Sequence, residues 1–271
     1  MKKIITAALL TFAICGAASA DQLADIKAKK VLVCGVFGDL VPLGFEDPAT
    51  RKPAGFDVDI CAAIADSLGV QLQINTVSVA ARIPAVSTGR VDIVAAALGY
   101  TADRAKQVDF SSAYYQTPIP LLVKKDGPYK NFSDLKGKKV SAIRASTPEL
   151  FARQTLKDTE VMTFDDGPAA YLALQQNKVQ AMAISQGAGI GFRNRSQGGV
   201  VFMDEVLHWE PECIGVKKGE TALLDAVNKA LDELETSGKL QVIWDKWFGP
   251  ETEYKLKRER KVTPLAQIQS Q

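Results

Sequence analysis

The chain has 271 residues, of which 46% are hydrophobic and 24% charged, with a formal net charge of +2. That balance excludes disordered, collagen-like and coiled-coil classes. Residues 4–20 form the one long uncharged apolar run; Lys2 and Lys3 precede it, and Ala18-Ser19-Ala20 closes it before Asp21. This is the pattern of a secretory signal peptide cleaved after Ala20, and it is short for a membrane span of about 20 residues. Two of the 33 basic residues fall inside it, which leaves basic and acidic side chains equal at 31 each. Zero net charge removes the case for a nucleic-acid partner. Cys15 lies in the leader after Ile14, too large a neighbour for lipid attachment. Cys34, Cys61 and Cys213 form no C-x-x-C pair and His208 is the sole histidine, so no metal site is expected. The three thiols are expected as small buried apolar residues rather than as a disulfide.

In chain order, residues 31–36 predict a buried strand. Phe56, Ile60, Ala63, Ile64 and Leu68 recur at helical spacing before Gly69 and predict a helix over 55–69. A strand at 70–77, a short helix at 80–88 and a buried strand at 91–97 follow. Strands alternating with helices predict βαβ units and a mostly parallel sheet. Turn chemistry at Lys124-Lys125-Asp126-Gly127-Pro128 breaks the series. It restarts with strands at 139–143, 160–164 and 180–185 and helices at 148–156 and 169–176. A second break falls at 208–213, before a short strand at 214–216 and an amphipathic helix at 223–236. The expected division is a leader at 1–20, lobe 1 from 21–124 plus 214–250, lobe 2 from 125–213, and a solvated, poorly ordered basic tail at 251–271.

No catalytic constellation emerges. G-x-S-x-G and H-E-x-x-H are missing, and Gly137-Lys138 lacks the flanking residues of a P-loop. Gly187-Ala188-Gly189-Ile190-Gly191 misses the dinucleotide spacing and is expected as a flexible strand-to-helix turn. Two features favour an anion site. Ser146-Thr147-Pro148-Glu149 opens a helix with a capping box, where free N–H groups and the dipole suit a carboxylate, although an ordinary cap uses up its own hydroxyl. Arg82, Arg104 and Arg144 stand near predicted strand and helix ends, where α/β sheets bind ligands.

The ordered segments Gly55-Phe56-Asp57-Val58-Asp59-Ile60, Ile83-Pro84-Ala85-Val86, Thr101-Ala102-Asp103-Arg104, Asp134-Leu135-Lys136-Gly137-Lys138, Ala145-Ser146-Thr147-Pro148-Glu149 and Lys246-Trp247-Phe248 resemble the extracellular solute-binding proteins, family 3, of polar amino-acid ABC importers. Arg82-Ile83-Pro84 further resembles the glutamate/aspartate-type branch, where this arginine holds a side-chain carboxylate. The resemblance implies an α/β, two-lobe periplasmic-binding-protein fold of type II, with two hinge strands and a ligand in the interlobe cleft. It implies a periplasmic monomer, without cofactor or catalytic residue, that delivers a small polar amino acid or related organic acid to a membrane permease. Arg104, Ser146 and Thr147 match the groups that hold the ligand's α-carboxylate. Leu40 and Val79 fall around its side chain. Phe37, Ala97, Leu98, Gly99, Arg144 and Ser185 complete the expected site.

Several positions depart from that pattern. Phe37 replaces an acidic or polar residue, Gly99 a Ser or Thr, Ala97 a small polar residue, and Ser185 the acid that receives the ligand's ammonium. Two expectations stay open: an anionic ligand with weakened ammonium recognition, or an ordinary amino acid whose ammonium meets an acid such as Asp39, Asp166 or Glu212. Other functions on such a scaffold are a dehydratase-like periplasmic enzyme, which needs a carboxyl in the cleft, and a soluble feeder of a membrane receptor. The expected hinges are 124–127 and 210–215.

Overall fold

The computed structural model describes residues 21–268, so the expected leader lies outside the described residues. In chain order the elements are α1 (Gln22–Lys29), β1 (Val31–Val36), β2 (Asp39–Leu40), β3 (Gly44–Glu46), β4 (Pro53–Ala54), α2 (Phe56–Leu68), β5 (Gln71–Thr76), α3 (Arg82–Ser87), β6 (Ile93–Gly99) and β7 (Val108–Lys124). Then follow β8 (Lys139–Ile143), α4 (Thr147–Thr155), β9 (Glu160–Phe164), α5 (Gly167–Gln175), β10 (Ala181–Ala183), α6 (Gln186–Arg195), β11 (Val200–Lys217), α7 (Thr221–Thr236), α8 (Lys239–Trp247) and α9 (Leu265–Ile268).

A sheet of order β5-β1-β6-β11-β7-β10-β8-β9 runs through the molecule. At one end β5, β1 and β6 are parallel; at the other β8 lies parallel to both β9 and β10. The long strands β7 and β11 pair antiparallel with each other and belong to both ends. Glu212–Val216 of β11 align with β6, whereas Leu121–Val123 of β7 align with β10. The chain therefore changes ends in the middle of these strands. Lys124, where the sequence places the first crossing, is the last residue of β7 and pairs with Val200. Register shifts in β11 between Phe202 and Gly215 bend the pair at the crossing.

Burial explains the local structure. Phe56, Ile60 and Ile64 are buried on one face of α2, and Gly69 ends the helix at φ 70°, a left-handed turn that costs glycine little. Phe56 is packed by the rings of Tyr114, Tyr115, Trp244 and Phe248, with centroids 5.2–6.0 Å away. The same packing of α2 on β1 brings Cys34 and Cys61 to a Cα separation of 6.4 Å, and they form a disulfide. This corrects the expectation of free thiols: the contact depends on helix-on-strand packing between residues 27 apart, which sequence spacing does not report. Cys213 is free and buried.

Two further expectations are corrected. The Gly187–Gly191 stretch is inside α6, where small residues permit close packing: a Cβ at Gly187 would lie 2.6 Å from Tyr115 Oη. Residues 251–268 of the tail are docked, not loose. Asn194 Nδ2 donates to Glu253, Arg258 pairs with Glu235, Arg260 donates to Gln116 and lies 5.0 Å from the Trp209 ring centroid, and Thr263 bridges to Ala113. The tail thus reaches α6, α7 and both crossing strands. Within the basic run on which the expectation of a solvated end rested, Arg258 is paired with Glu235 and Arg260 lies over Trp209, while Lys255, Lys257 and Lys261 are exposed.

Candidate functional site

A cavity lies between the two ends of the sheet. Phe37 and Leu40, after β1, and Val79, before α3, form its apolar wall, and Arg82, Ala97, Ser146, Thr147 and Ser185 also line it. The enclosed space is about 30 Å³. Ligand pockets generally measure about 300–1,000 Å³, so a ligand enters only if the two ends part.

Arg104 spans the gap. Its Nη1 donates to Gly99 O (2.6 Å) and Thr147 Oγ1 (2.8 Å), and its Nη2 to Ala145 O (2.9 Å). Burial lowers its pKa and the nearby Glu210 opposes that shift. Thr147 opens α4, whose first-turn N–H groups and dipole favour an anion. Ser146 is the N-cap: its Oγ accepts from Glu149 N at 3.1 Å. The Glu149 carboxylate reaches back to Ala145 N at 2.8 Å, one residue beyond the expected capping-box partner. The Ser146 hydroxyl is thus engaged by its own helix, whereas the Thr147 hydroxyl faces Arg104.

Arg82 plays a different part from the one its sequence context implies. It is 3% exposed, and four of its five N–H groups donate to backbone carbonyls: Nε to Val79, Nη1 to Ala96 and Ala97, and Nη2 to Ala145. It holds the strand ends together more than it offers a free clamp. Burial and the neighbouring Arg104 bring its pKa down to about 9. Ala97 is pinned from both sides, its O by Arg82 and its N by Asp57 Oδ2 at 3.1 Å. It adopts φ 43°, a left-handed conformation that costs a residue with a Cβ about 1–3 kcal/mol.

Two expected positions lie elsewhere. Leu98 is fully buried and points to the opposite face of β6, against Gly215, as strand alternation requires. Arg144 is exposed and pairs with Asp165 at 3.1 Å, outside the cavity. Gly99 is not itself in the cavity lining, but a Cβ there would run into Glu210 and Thr147, which are. Asp39 and Asp166 line a small adjoining recess of about 20 Å³ with Phe37 and Leu40; Asp39 has a raised pKa, through burial and then Asp166.

Sequence reasoning missed Glu210. It is 2% exposed and is the one carboxylate lining the cavity among the described residues. Its side chain hydrogen-bonds to Thr147, and burial raises its pKa. Glu212, two residues on and on the same face of β11, is fully buried; both its carboxylate oxygens lack a hydrogen-bond partner, and burial, then Glu210 and Asp57, push its pKa well up. Two acids at i and i+2 beside apolar Cys213-Ile214-Gly215-Val216 are the signal that was available, had 208–213 been recognised as strand. The cleft does hold a carboxyl, at a position outside the expected site residues. His208 stacks on Phe151, ring centroids 3.8 Å apart, and its pKa is lowered by burial, which fits a packing role.

Residues 32–250 match the family described as bacterial extracellular solute-binding proteins, family 3. The ABC transporter glutamine-binding protein GlnH of Bacillus subtilis (strain 168) is 33% identical over 272 residues, covering 92% of this chain and 98% of the relative. The L-cystine-binding protein TcyJ of Escherichia coli (strain K12) is 29% identical, covering 84% and 86%. Among solved structures, an ancestral arginine-binding protein bound to arginine aligns with TM-score 0.76 at 35% identity, covering 81% of this chain and 99% of that one. These relatives bear the names of glutamine, cystine and arginine and do not single out a glutamate/aspartate branch. The fold is that of the α/β periplasmic binding proteins, and the chain belongs to the bacterial extracellular solute-binding proteins, family 3.

Proposed function

We propose that this protein is the amino-acid-binding component of an ABC importer, secreted to the periplasm, which closes its two lobes over one polar amino acid and presents it to a membrane permease. The observation that carries this reading is Arg104. From the β6 side it reaches Thr147 and Ala145 on the other side of the cavity, beside the N-terminus of α4. A guanidinium and a helix N-terminus converging in a buried cleft are suited to a carboxylate. The relatives named for glutamine, cystine and arginine support the substrate class. The two lobes meet at the middle of β7 and β11, and closure occurs there.

Isothermal titration with the standard amino acids and cystine, with the recovered ligand checked for chemical change, tests the reading. Saturable binding of an unchanged amino acid is expected, with Arg104→Ala weakening it about 10- to 100-fold, the worth of a charge-assisted hydrogen bond. Turnover without saturable binding, or full affinity in the Arg104→Ala protein, defeats it. Arg144→Ala, outside the cavity, should leave affinity unchanged.

A further inference from the structure

We infer that Glu210 is the acceptor of the ligand's ammonium group, which makes the site selective for amino acids over carboxylic acids of the same shape. This rests on the amino-acid reading above. Three observations carry it.

The first is position. Among the described residues lining the cavity, Glu210 alone bears a negative charge when ionised, while Ser185, at the strand end where the sequence leads one to expect an acid, offers only a hydroxyl. The second is space. A Cβ at Gly99 would overlap Glu210 Oε1 outright and lie 2.7 Å from Thr147 Oγ1. Absence of a side chain at the end of β6 is therefore what lets the carboxylate of β11 stand in the cleft, and the two departures from the expected pattern, Gly99 and Ser185, have one explanation. The third is incomplete satisfaction. The hydrogen bond of Glu210 is to the Thr147 hydroxyl; Arg104 and Arg82 favour its charge from nearby, but the N–H groups of Arg104 donate to Thr147 and backbone carbonyls and those of Arg82 to backbone carbonyls. A buried carboxylate with one hydroxyl as its hydrogen-bond partner keeps acceptor capacity free, even with two guanidinium groups nearby. An ammonium donates three N–H groups and carries the opposite charge, so it completes the carboxylate's shell as the lobes close. Glu210 and Arg104 meet at the same Thr147 hydroxyl beside the N-terminus of α4, so the two charges of an α-amino acid, carried on one carbon, find neighbouring partners of opposite sign.

The test is titration of the wild-type protein with each standard amino acid and cystine, followed by the tightest binder against its deaminated counterpart (for glutamine, 4-carbamoylbutanoate; for arginine, 5-guanidinopentanoate). The amino acid should bind at least about tenfold more tightly, and Glu210→Gln should weaken it about 10- to 100-fold while leaving the deaminated acid within a few-fold. Equal or tighter wild-type binding of the deaminated acid overturns the inference while the amino-acid reading stands. So does a folded Glu210→Gln protein that keeps the wild-type preference. If Glu210→Gln does not fold, the wild-type ratio decides. If no amino acid binds, the amino-acid reading itself fails and this inference falls with it.

Discussion

At the β5-β1-β6 end, the Cys34–Cys61 disulfide ties α2 to β1, and Phe56 sits in a nest of Tyr114, Tyr115, Trp244 and Phe248. The core beside β8 and β10 is aliphatic, with Ile119, Leu121, Val123, Leu135, Val140 and Met203 fully or nearly fully buried and Phe132 and Phe151 at its margin. The first end is braced by a cluster of large rings and a covalent bond, the second by aliphatic packing, helix caps and the ring pairs Phe151–His208 and Tyr171–Phe192. The polar groups of the cleft follow the same division. Arg82 and Arg104 come from the braced end and Thr147 from a capped helix of the other, with Glu210 on the strand common to both. Rigidity on one side and a lighter partner on the other is a physical basis for a cleft that opens without either half losing its shape.

The contrast can be broken most severely at the disulfide. Closing a loop over a separation of 27 residues contributes about 3.5 kcal/mol by the chain-entropy relation. Cys34→Ala with Cys61→Ala should lower the denaturation midpoint accordingly. Hydrogen exchange should accelerate in β1 and α2 while β8 and β9 keep their protection. Uniform acceleration would mean that the two ends form one cooperative unit.

A smaller effect concerns acid. Asp57 accepts from Tyr114 Oη at 2.6 Å and from Ala97 N at 3.1 Å, yet its pKa is raised from 3.8 to about 6. Burial is the main cause, opposed by those hydrogen bonds and by Arg82. The native state therefore holds this proton more tightly than the unfolded chain. Its contribution to stability is full below about pH 4 and is lost as pH rises through about 6, up to about 3 kcal/mol. Asp57→Asn should remove this share of the slope from urea midpoints measured between about pH 4 and 6. An unchanged slope would assign it to Glu210 and Glu212, whose raised pKa values act with the same sign.

The mildest test lies in the second half. Ser146→Ala removes the cap of α4 and should cost about 1 kcal/mol in chemical denaturation. A loss several times larger would show that α4 braces its end as strongly as the disulfide braces the other.

Much of the fold was legible where periodicity is local. The strands at 31–36, 139–143 and 160–164 match β1, β8 and β9, and the helices at 55–69 and 223–236 fall within a few residues of α2 and α7. The crossing strands were not legible. Pro118, Pro120 and Pro211 stand inside them, where proline argues against strand, and Ser111, Ser112, Gln116 and Thr117 dilute the apolar pattern. Register shifts make room for such residues at the bend, and only tertiary pairing reveals that. The site followed suit. Phe37, Arg82, Ala97 and Thr147 could be placed from motifs beside well-marked elements, whereas Glu210 depends on β11 and could not.

The docked tail carries a kinetic consequence. It meets Asn194 on α6, Glu235 on α7, Gln116 on β7 and Trp209 on β11. None of these lies close to it in sequence, so it has no complete docking surface until all of them stand in place. Contacts formed after the rate-limiting step slow unfolding without hastening folding. The tail is placed to act as a late latch that lengthens the lifetime of the folded state while leaving the rate of its formation to the sheet.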